Sequence, residues 1–202
     1  MDFQTILHSI LTVVIVVAQI ATVYLAARGN RWTWILGIVT GLILCYNFLS
    51  DRLYMSLAFQ VYSIAASIGG VFIWKKKEED NKQTICWGNP LWPLLVVVGL
   101  TAAVYYFDAQ VLKSNLPVLD CAITSLQAVA TFLMVRKDIN AWICYLICDA
   151  IYIPLGIIGG NYQWLFISGI FLITSTFGFI TFIKAYRKIK QEKAQANRTE
   201  NS

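Results

Sequence analysis

VLDCAITSLQAVATFLMV, residues 118–135, and AWICYLICDAIYIPLGII, residues 141–158, are two apolar runs separated only by RKDIN, residues 136–140. Each run has eighteen residues, close to the roughly 20 that an α-helix needs to cross the hydrocarbon core of a bilayer. Backbone amides in lipid must pair within their own segment, so each run is a helix rather than an open strand. A basic hinge this short makes the two helices antiparallel neighbours. Working outward, the same reading predicts spans at 3–27, 32–50, 53–74 and 90–110 before this pair and 163–183 after it, seven in all. The connections at 28–31, 51–52 and 159–161 are equally short. Two polar stretches remain, KKKEEDNKQTIC at 75–86 and the tail from residue 184.

Composition agrees. Of 202 residues, 58% are hydrophobic and 13% charged, against about 25% charged in a soluble domain. The net charge of +5 does not point to nucleic acid, because most basic residues flank apolar runs. The first run starts at once and is too long for the core of a cleavable signal peptide, so none is expected. Cys45, Cys86, Cys121, Cys144 and Cys148 are odd in number, and four lie inside apolar runs, so no disulfide framework is implied. Cys144 and Cys148 share a helix face, where packing as small hydrophobes is a better account than a metal pair.

Lys and Arg collect on the cytoplasmic side of membrane proteins. Arg28, Arg31, Lys75, Lys76, Lys77, Lys82, Arg136, Lys137 and the six basic residues of the tail fall on one side, fourteen in all, and only Arg52 and Lys113 on the other. The expected topology has the N-terminus outside and the C-terminus in the cytoplasm.

Shifted by 108 residues, the sequence matches itself without a gap. Gln19 falls on Gln127, Arg28 on Arg136, Trp34 on Trp142, Tyr54 on Tyr162, Ser67 on Ser175 and Gly70 on Gly178, and ten of 56 positions are identical over 19–74 against 127–182. Helices 1–3 therefore recur as helices 5–7 with helix 4 as an inverting linker. This is an all-α, seven-helix membrane fold in a 3+1+3 parallel-repeat arrangement, like that of the SWEET transporters, with a substrate site expected between the repeats. The implied units are 1–74, the loop and linker helix at 75–117, the second repeat at 118–183, and a basic cytoplasmic tail at 184–202.

Polar groups inside a bilayer are costly and usually face a pathway. On helix 6, Trp142, Tyr145, Asp149 and Tyr152 are spaced by three, four and three residues, hence on one face. The two tyrosines are placed to donate to the Asp149 carboxylate, and the rings to stack on a flat cation. Helix 5 adds Asp120, Thr124, Gln127 and Thr131, helix 1 Thr12 and Gln19, and helix 2 Trp34. Helix 3 adds Gln60, Ser63 and Ser67, helix 7 Ser168, Ser175 and Gly178, and helix 4 Thr101, Tyr105 and Asp108. Ser and Thr routinely bond helix to helix in membranes, so the candidate substrate set is Trp142, Tyr145, Asp149, Tyr152, Gln127, Gln19, Gln60 and Trp34. Trp74, Trp87 and Trp92 are expected to be interface anchors.

RWTWILG at 31–37, LYMSLAFQVYSIAASIGGVFIW at 53–74 and LPVLDCAITSLQAVATFLMVRKDINAW at 116–142 together resemble the PnuC transporters of nicotinamide riboside over most of the chain. The resemblance implies a 3+1+3 fold, a homotrimer in a bacterial inner membrane, and import by facilitated diffusion with the substrate trapped by a cytosolic kinase. Tyr145 and Asp149 depart from the family, which often has a second Trp and Asn along that face. Thiamine or riboflavin, carried by relatives, and proton coupling through Asp149 stay open as alternatives. A buried carboxylate among rings suits the cations nicotinamide riboside and thiamine better than neutral riboflavin.

No catalytic residues, cofactor or metal are expected. The one histidine, His8, sits near the end of the first run, and no GxSG, HExxH or paired-Asp signature occurs. A retinal protein needs a mid-span lysine, whereas Lys113 and Lys184 are at span ends.

Overall fold

The computed structural model describes residues 3–50, 54–79, 85–107, 109–110, 118–158 and 162–200. The connections at 51–52 and 159–161, with Arg52, Lys82, Asp108 and Lys113, lie outside the described residues, as do the side chains of His8, Thr12, Tyr54, Asp120 and Tyr162. Seven helices are described: α1 Phe3–Ala27, α2 Trp32–Ser50, α3 Tyr54–Glu79, α4 Leu91–Phe107, α5 Val118–Val135, α6 Asn140–Ile158 and α7 Tyr162–Glu200. Among the described residues the only β pairing is a single parallel bridge between Cys86 and Asp138. The fold is all-α, and α3 and α7 outrun their predicted spans. Hydropathy marks where a helix leaves lipid, not where it ends. Beyond Trp74 and Ile183 the chain continues in Lys, Glu, Gln and Ala, which favour helix in water, and Lys188 and Glu192 pair at 3.9 Å one turn apart.

α2 packs on α1 and α3, α6 on α5 and α7, and α1 meets α7 while α3 meets α5. α4 packs on α5. The outward faces carry large apolar side chains such as Val17, Leu42, Phe72, Leu95, Tyr106 and Ile173, all more than half exposed. Outward apolar faces on every side are what a lipid solvent demands and a soluble monomer avoids.

The two short turns are built alike. After α1, Gly29 N donates to Ala26 O and Asn30 N to Leu25 O, the bonding of a Schellman stop. Asn30 Oδ1 then accepts from Trp32 N at 3.0 Å and caps α2. After α5, Lys137 N donates to Met134 O and Asp138 N to Leu133 O, and Asp138 Oδ1 accepts from Asn140 N at 3.0 Å. Every one of these bonds has its counterpart 108 residues on. Gly29 has φ 68° and Lys137 φ 60°, so the second turn holds a lysine where the backbone favours glycine.

That lysine is nearly buried, with Nζ 4.4 Å from the centre of the Trp74 ring. Burial, reinforced by the neighbouring Lys77, pushes the Lys137 ammonium pKa below the usual lysine range, and Glu78 acts the other way. The linker clasps this turn, and among the described residues no such contact is seen on the first. Cys86 N donates to Lys137 O at 3.2 Å and Ile139 N to Cys86 O at 3.0 Å. Gly88 N reaches Asp138 Oδ1 at 3.4 Å, and Asn140 Nδ2 reaches Gly88 O at 2.9 Å. Asn89 and Pro90 then open α4, the Asn89 side chain capping Leu91 N at 2.9 Å. Trp74 is not an interface anchor. It is fully buried, and its Nε1 donates to Val135 O at 3.0 Å, because α3 ends against the clasped turn.

Gly29 has open space around a Cβ, the nearest atom being Lys137 Nζ at 4.0 Å. Gly29→Ala therefore reports backbone strain alone, and thermal melting should show a loss of about 1–2 kcal/mol.

Candidate functional site

Helical spacing decides what α6 presents inward. Trp142, Tyr145 and Asp149 all line one cavity of about 240 Å³, and α2 presents Trp34 and Gly37 to it at the corresponding positions. Gln19 and Val23 from α1, Gln60 and Ser67 from α3, Gln127 and Thr131 from α5, and Phe171 and Ser175 from α7 complete most of the wall. All six helices of the two halves contribute and α4 does not. Seven pairs of lining residues stand 108 apart, among them Gln19 with Gln127, Trp34 with Trp142, and Ser67 with Ser175. The volume lies just below the about 300–1,000 Å³ usual for small-molecule sites, which suits one compact solute.

The pairs are unequal where it matters chemically. Gly37 stands where the second half has Tyr145, and Gly41 where it has Asp149. A Cβ on Gly41 would meet Ile64 at 2.7 Å and Gln60 Nε2 at 3.0 Å, so α3 closes over α2 there. Of these two helices, α6 carries Tyr145 and Asp149 where α2 has only glycine.

Asp149 is the one charged residue among those lining the cavity, and it is buried. Its Oδ2 accepts from Ser175 Oγ at 2.7 Å, so its partner is on α7. Tyr145 does not serve it: its hydroxyl is 3.3 Å from Thr131 Oγ1. Tyr152 lies beyond Asp149, the last α6 residue on the wall, and packs against the apolar core. Pro154 sits within α6 and deprives the Ala150 carbonyl of its helical donor.

Trp142 is only 1% exposed. A Cβ on Gly178 would lie 2.3 Å from two of its ring carbons, and Phe182 meets it edge-on at 5.4 Å. Trp34 sits in the same way on Gly70, with Trp74 edge-on at 5.4 Å. A ring held so tightly does not offer an open face for stacking; Phe59, Tyr145 and Phe171 are the less covered rings on the wall. Thr22, Thr33, Thr40, Met134 and Phe171 line the cavity without having been singled out in the sequence. One of them was within reach: Phe171 repeats Ser63, which the sequence did single out.

Thr124 faces the other way with Ser125, into a larger groove of about 480 Å³ between α3, α4 and α5. Tyr62, Trp92, Val96, Leu100 and Phe132 make that groove apolar, and no charged residue lines it among the described residues. Cys144 and Cys148 are buried, and the Cys148 thiol is 3.9 Å from Ile123 O, as expected of packing side chains.

The model of the nicotinamide mononucleotide transporter family matches residues 9–184. The chain belongs to that family. The family's members are transporters, and the chain is accordingly a multi-pass membrane protein. A solved structure described as the vitamin B3 transporter PnuC is similar over 89% of this chain and 83% of that one, with a TM-score of 0.71 and 18% sequence identity. At that identity the likeness establishes the fold, and the family match with the cavity carries the rest.

Proposed function

We propose that the chain imports nicotinamide riboside across a bacterial inner membrane by facilitated diffusion. The observation that carries this is the cavity's charge: among the described residues, one buried carboxylate, Asp149, and no Lys or Arg on the wall. A pyridinium ring is a permanent cation, and a carboxylate in a low-dielectric site attracts it more strongly than water allows. A nucleotide's phosphate would meet Asp149 as a like charge with no cation to receive it. The unphosphorylated nucleoside is therefore the better fit within a family whose matched model names the mononucleotide. Transport without catalysis, and trapping by a cytosolic kinase, follow the resemblance to PnuC. The thiazolium of thiamine would satisfy the same carboxylate and is the second reading; riboflavin lacks the charge. Calorimetric titration of the purified protein with nicotinamide riboside, its 5′-phosphate, thiamine and riboflavin decides among them. Nicotinamide riboside should bind most tightly, and preference for the phosphate or for riboflavin sinks the proposal.

The cavity belongs to a parallel pair of three-helix repeats with α4 crossing between them. The matching turns and the seven lining pairs support this arrangement. The candidate binding residues are Trp142, Tyr145, Asp149, Gln127, Gln19, Gln60 and Trp34, with Tyr152 packing behind them. A homotrimer rests on the resemblance alone.

The N-terminus outside and the C-terminal end of α7 in the cytoplasm follow from fourteen basic residues against two. A cysteine introduced near Lys190 should resist a membrane-impermeant maleimide applied from the periplasm; efficient labelling reverses the topology.

A further inference from the structure

The groove of about 480 Å³ between α3, α4 and α5 is left open by the way α4 sits. Among the described residues α4 packs on α5 and not on α3. Its side of the groove is Trp92, Val96, Leu100 and Val104, four residues apart and hence one stripe. Val104 is twelve positions on from Trp92, about 18 Å of helix, against about 15 Å for one leaflet of the hydrocarbon core. Two hydroxyls on the wall are spent on backbone: Tyr62 donates to Ala128 O at 2.9 Å and Ser125 to Cys121 O at 2.7 Å.

One end of this apolar trough is basic. On α5 the lining stripe passes Ala128 and Phe132. One turn on stands Arg136, its guanidinium 5.9 Å from the centre of the Phe132 ring. On α3, helical steps from Tyr62 lead along one face through Gly69 and Ile73 to Lys77. A Cβ on Gly69 would meet nothing within 4 Å, so that face is open along the way. Lys77 Nζ donates to Arg136 O at 3.0 Å, which sets the two cations side by side. Burial holds the Lys77 ammonium below the usual lysine range, with Cys86 acting the other way and Arg136 adding to the shift. Neither cation is in an ion pair among the described residues. The nearby carboxylates have other partners: Glu78 lies 3.7 Å from Arg31, and Asp138 accepts from Gly88 N and Asn140 N.

A trough about one leaflet deep that ends in two unanswered cations matches one ligand in both shape and charge. We propose that the groove holds an acyl chain of an anionic phospholipid whose phosphate rests on Arg136 and Lys77. Basic pockets between spans on the cytoplasmic side suit such headgroups, and the topology given above puts this end in the cytoplasmic leaflet. A second copy of the chain would bring its own basic rim to the same place, whereas a phosphodiester brings the anion that is missing. The chain of the lipid fills the gap between α3 and α4, so the lipid splints a helix that otherwise leans on α5 alone.

The test titrates the purified protein in detergent with dioleoylphosphatidylglycerol and with dioleoylphosphatidylcholine. Melting temperature and the lipid retained in native mass spectrometry are read together. The anionic lipid should raise melting and remain bound, one molecule per chain, and the zwitterionic lipid should do neither. Arg136→Gln should weaken retention about fivefold, and the double variant with Lys77→Gln about thirtyfold. Val96→Trp fills the trough from its exposed wall, keeps both cations, and should lose most of the retention. Leu95→Trp, on the neighbouring exposed face outside the groove, should bind like the parent. Equal retention of the two lipids overturns the proposal, as does parental binding by Arg136→Gln and the double variant, or by Val96→Trp. A disulfide between copies of a Val96→Cys protein in native membranes also overturns it, because the groove is then covered by a second chain.

Discussion

Gly178→Ala should lower the melting temperature of the purified protein by several degrees or prevent its isolation. The added Cβ would lie 2.3 to 2.6 Å from three carbons of the Trp142 ring, far inside van der Waals contact. The ring is 1% exposed and held on another side by Phe182, so it cannot step aside without moving α6 from α7. Overpacking of a well-filled core typically costs about 1–3 kcal/mol, occasionally more, and a tryptophan wedge between two helices belongs at the upper end. Gly70→Ala meets Trp34 at the same 2.3 Å and should behave alike. Gly69 and Gly169 have nothing within 4 Å of a built Cβ. Alanine there gains about 0.5–1 kcal/mol of helix propensity and should melt at or above the parent. Trp142→Leu in the Gly178→Ala background should recover part of the loss. If Gly178→Ala melts like Gly169→Ala, the wedge does not hold these helices together.

Asp149→Asn should weaken binding of nicotinamide riboside tenfold or more. Asparagine keeps the shape and can still bond the Ser175 hydroxyl, which now sits 2.7 Å from Asp149 Oδ2, so the helix pair should survive. What disappears is the one negative charge among the residues lining the cavity. A tenfold loss corresponds to about 1.4 kcal/mol, a modest demand on a charge pair out of water. Calorimetry of parent and variant reads it directly. An Asp149→Asn protein that binds as tightly as the parent would leave the carboxylate with a packing role and remove the charge argument for a cationic substrate.

The spans and the cavity were legible for different reasons. Apolar run length reports how much chain lies in lipid, so α2, α5 and α6 fall within a residue or so of where the runs place them. It is blind to helix continuing into water, which is why α3 and α7 are longer than their spans. The cavity was legible through the 108-residue shift, because repeated polar residues at helical spacing must face a common axis. Gln19, Gln60, Gln127, Trp34, Trp142, Tyr145 and Asp149 meet there. Partners were not legible. That Asp149 bonds Ser175, while Tyr145 bonds Thr131, depends on how α5 and α7 lie against α6, and spacing along one helix carries no information about that. Trp74 misled for a related reason: an aromatic residue at a span end reads as an interface anchor until the neighbouring turn is seen to cover it.

The clasp on the α5–α6 turn bears on how the chain is made. The α1–α2 turn has a glycine at its left-handed position and can close unaided. Its counterpart has Lys137 there and exchanges hydrogen bonds in both directions with Cys86 and with Gly88. Those two residues precede the turn by about fifty positions in the sequence. A chain emerging N-terminus first thus has the docking segment in place before the turn that depends on it is translated. The hairpin least able to form alone is the one whose template has already left the ribosome.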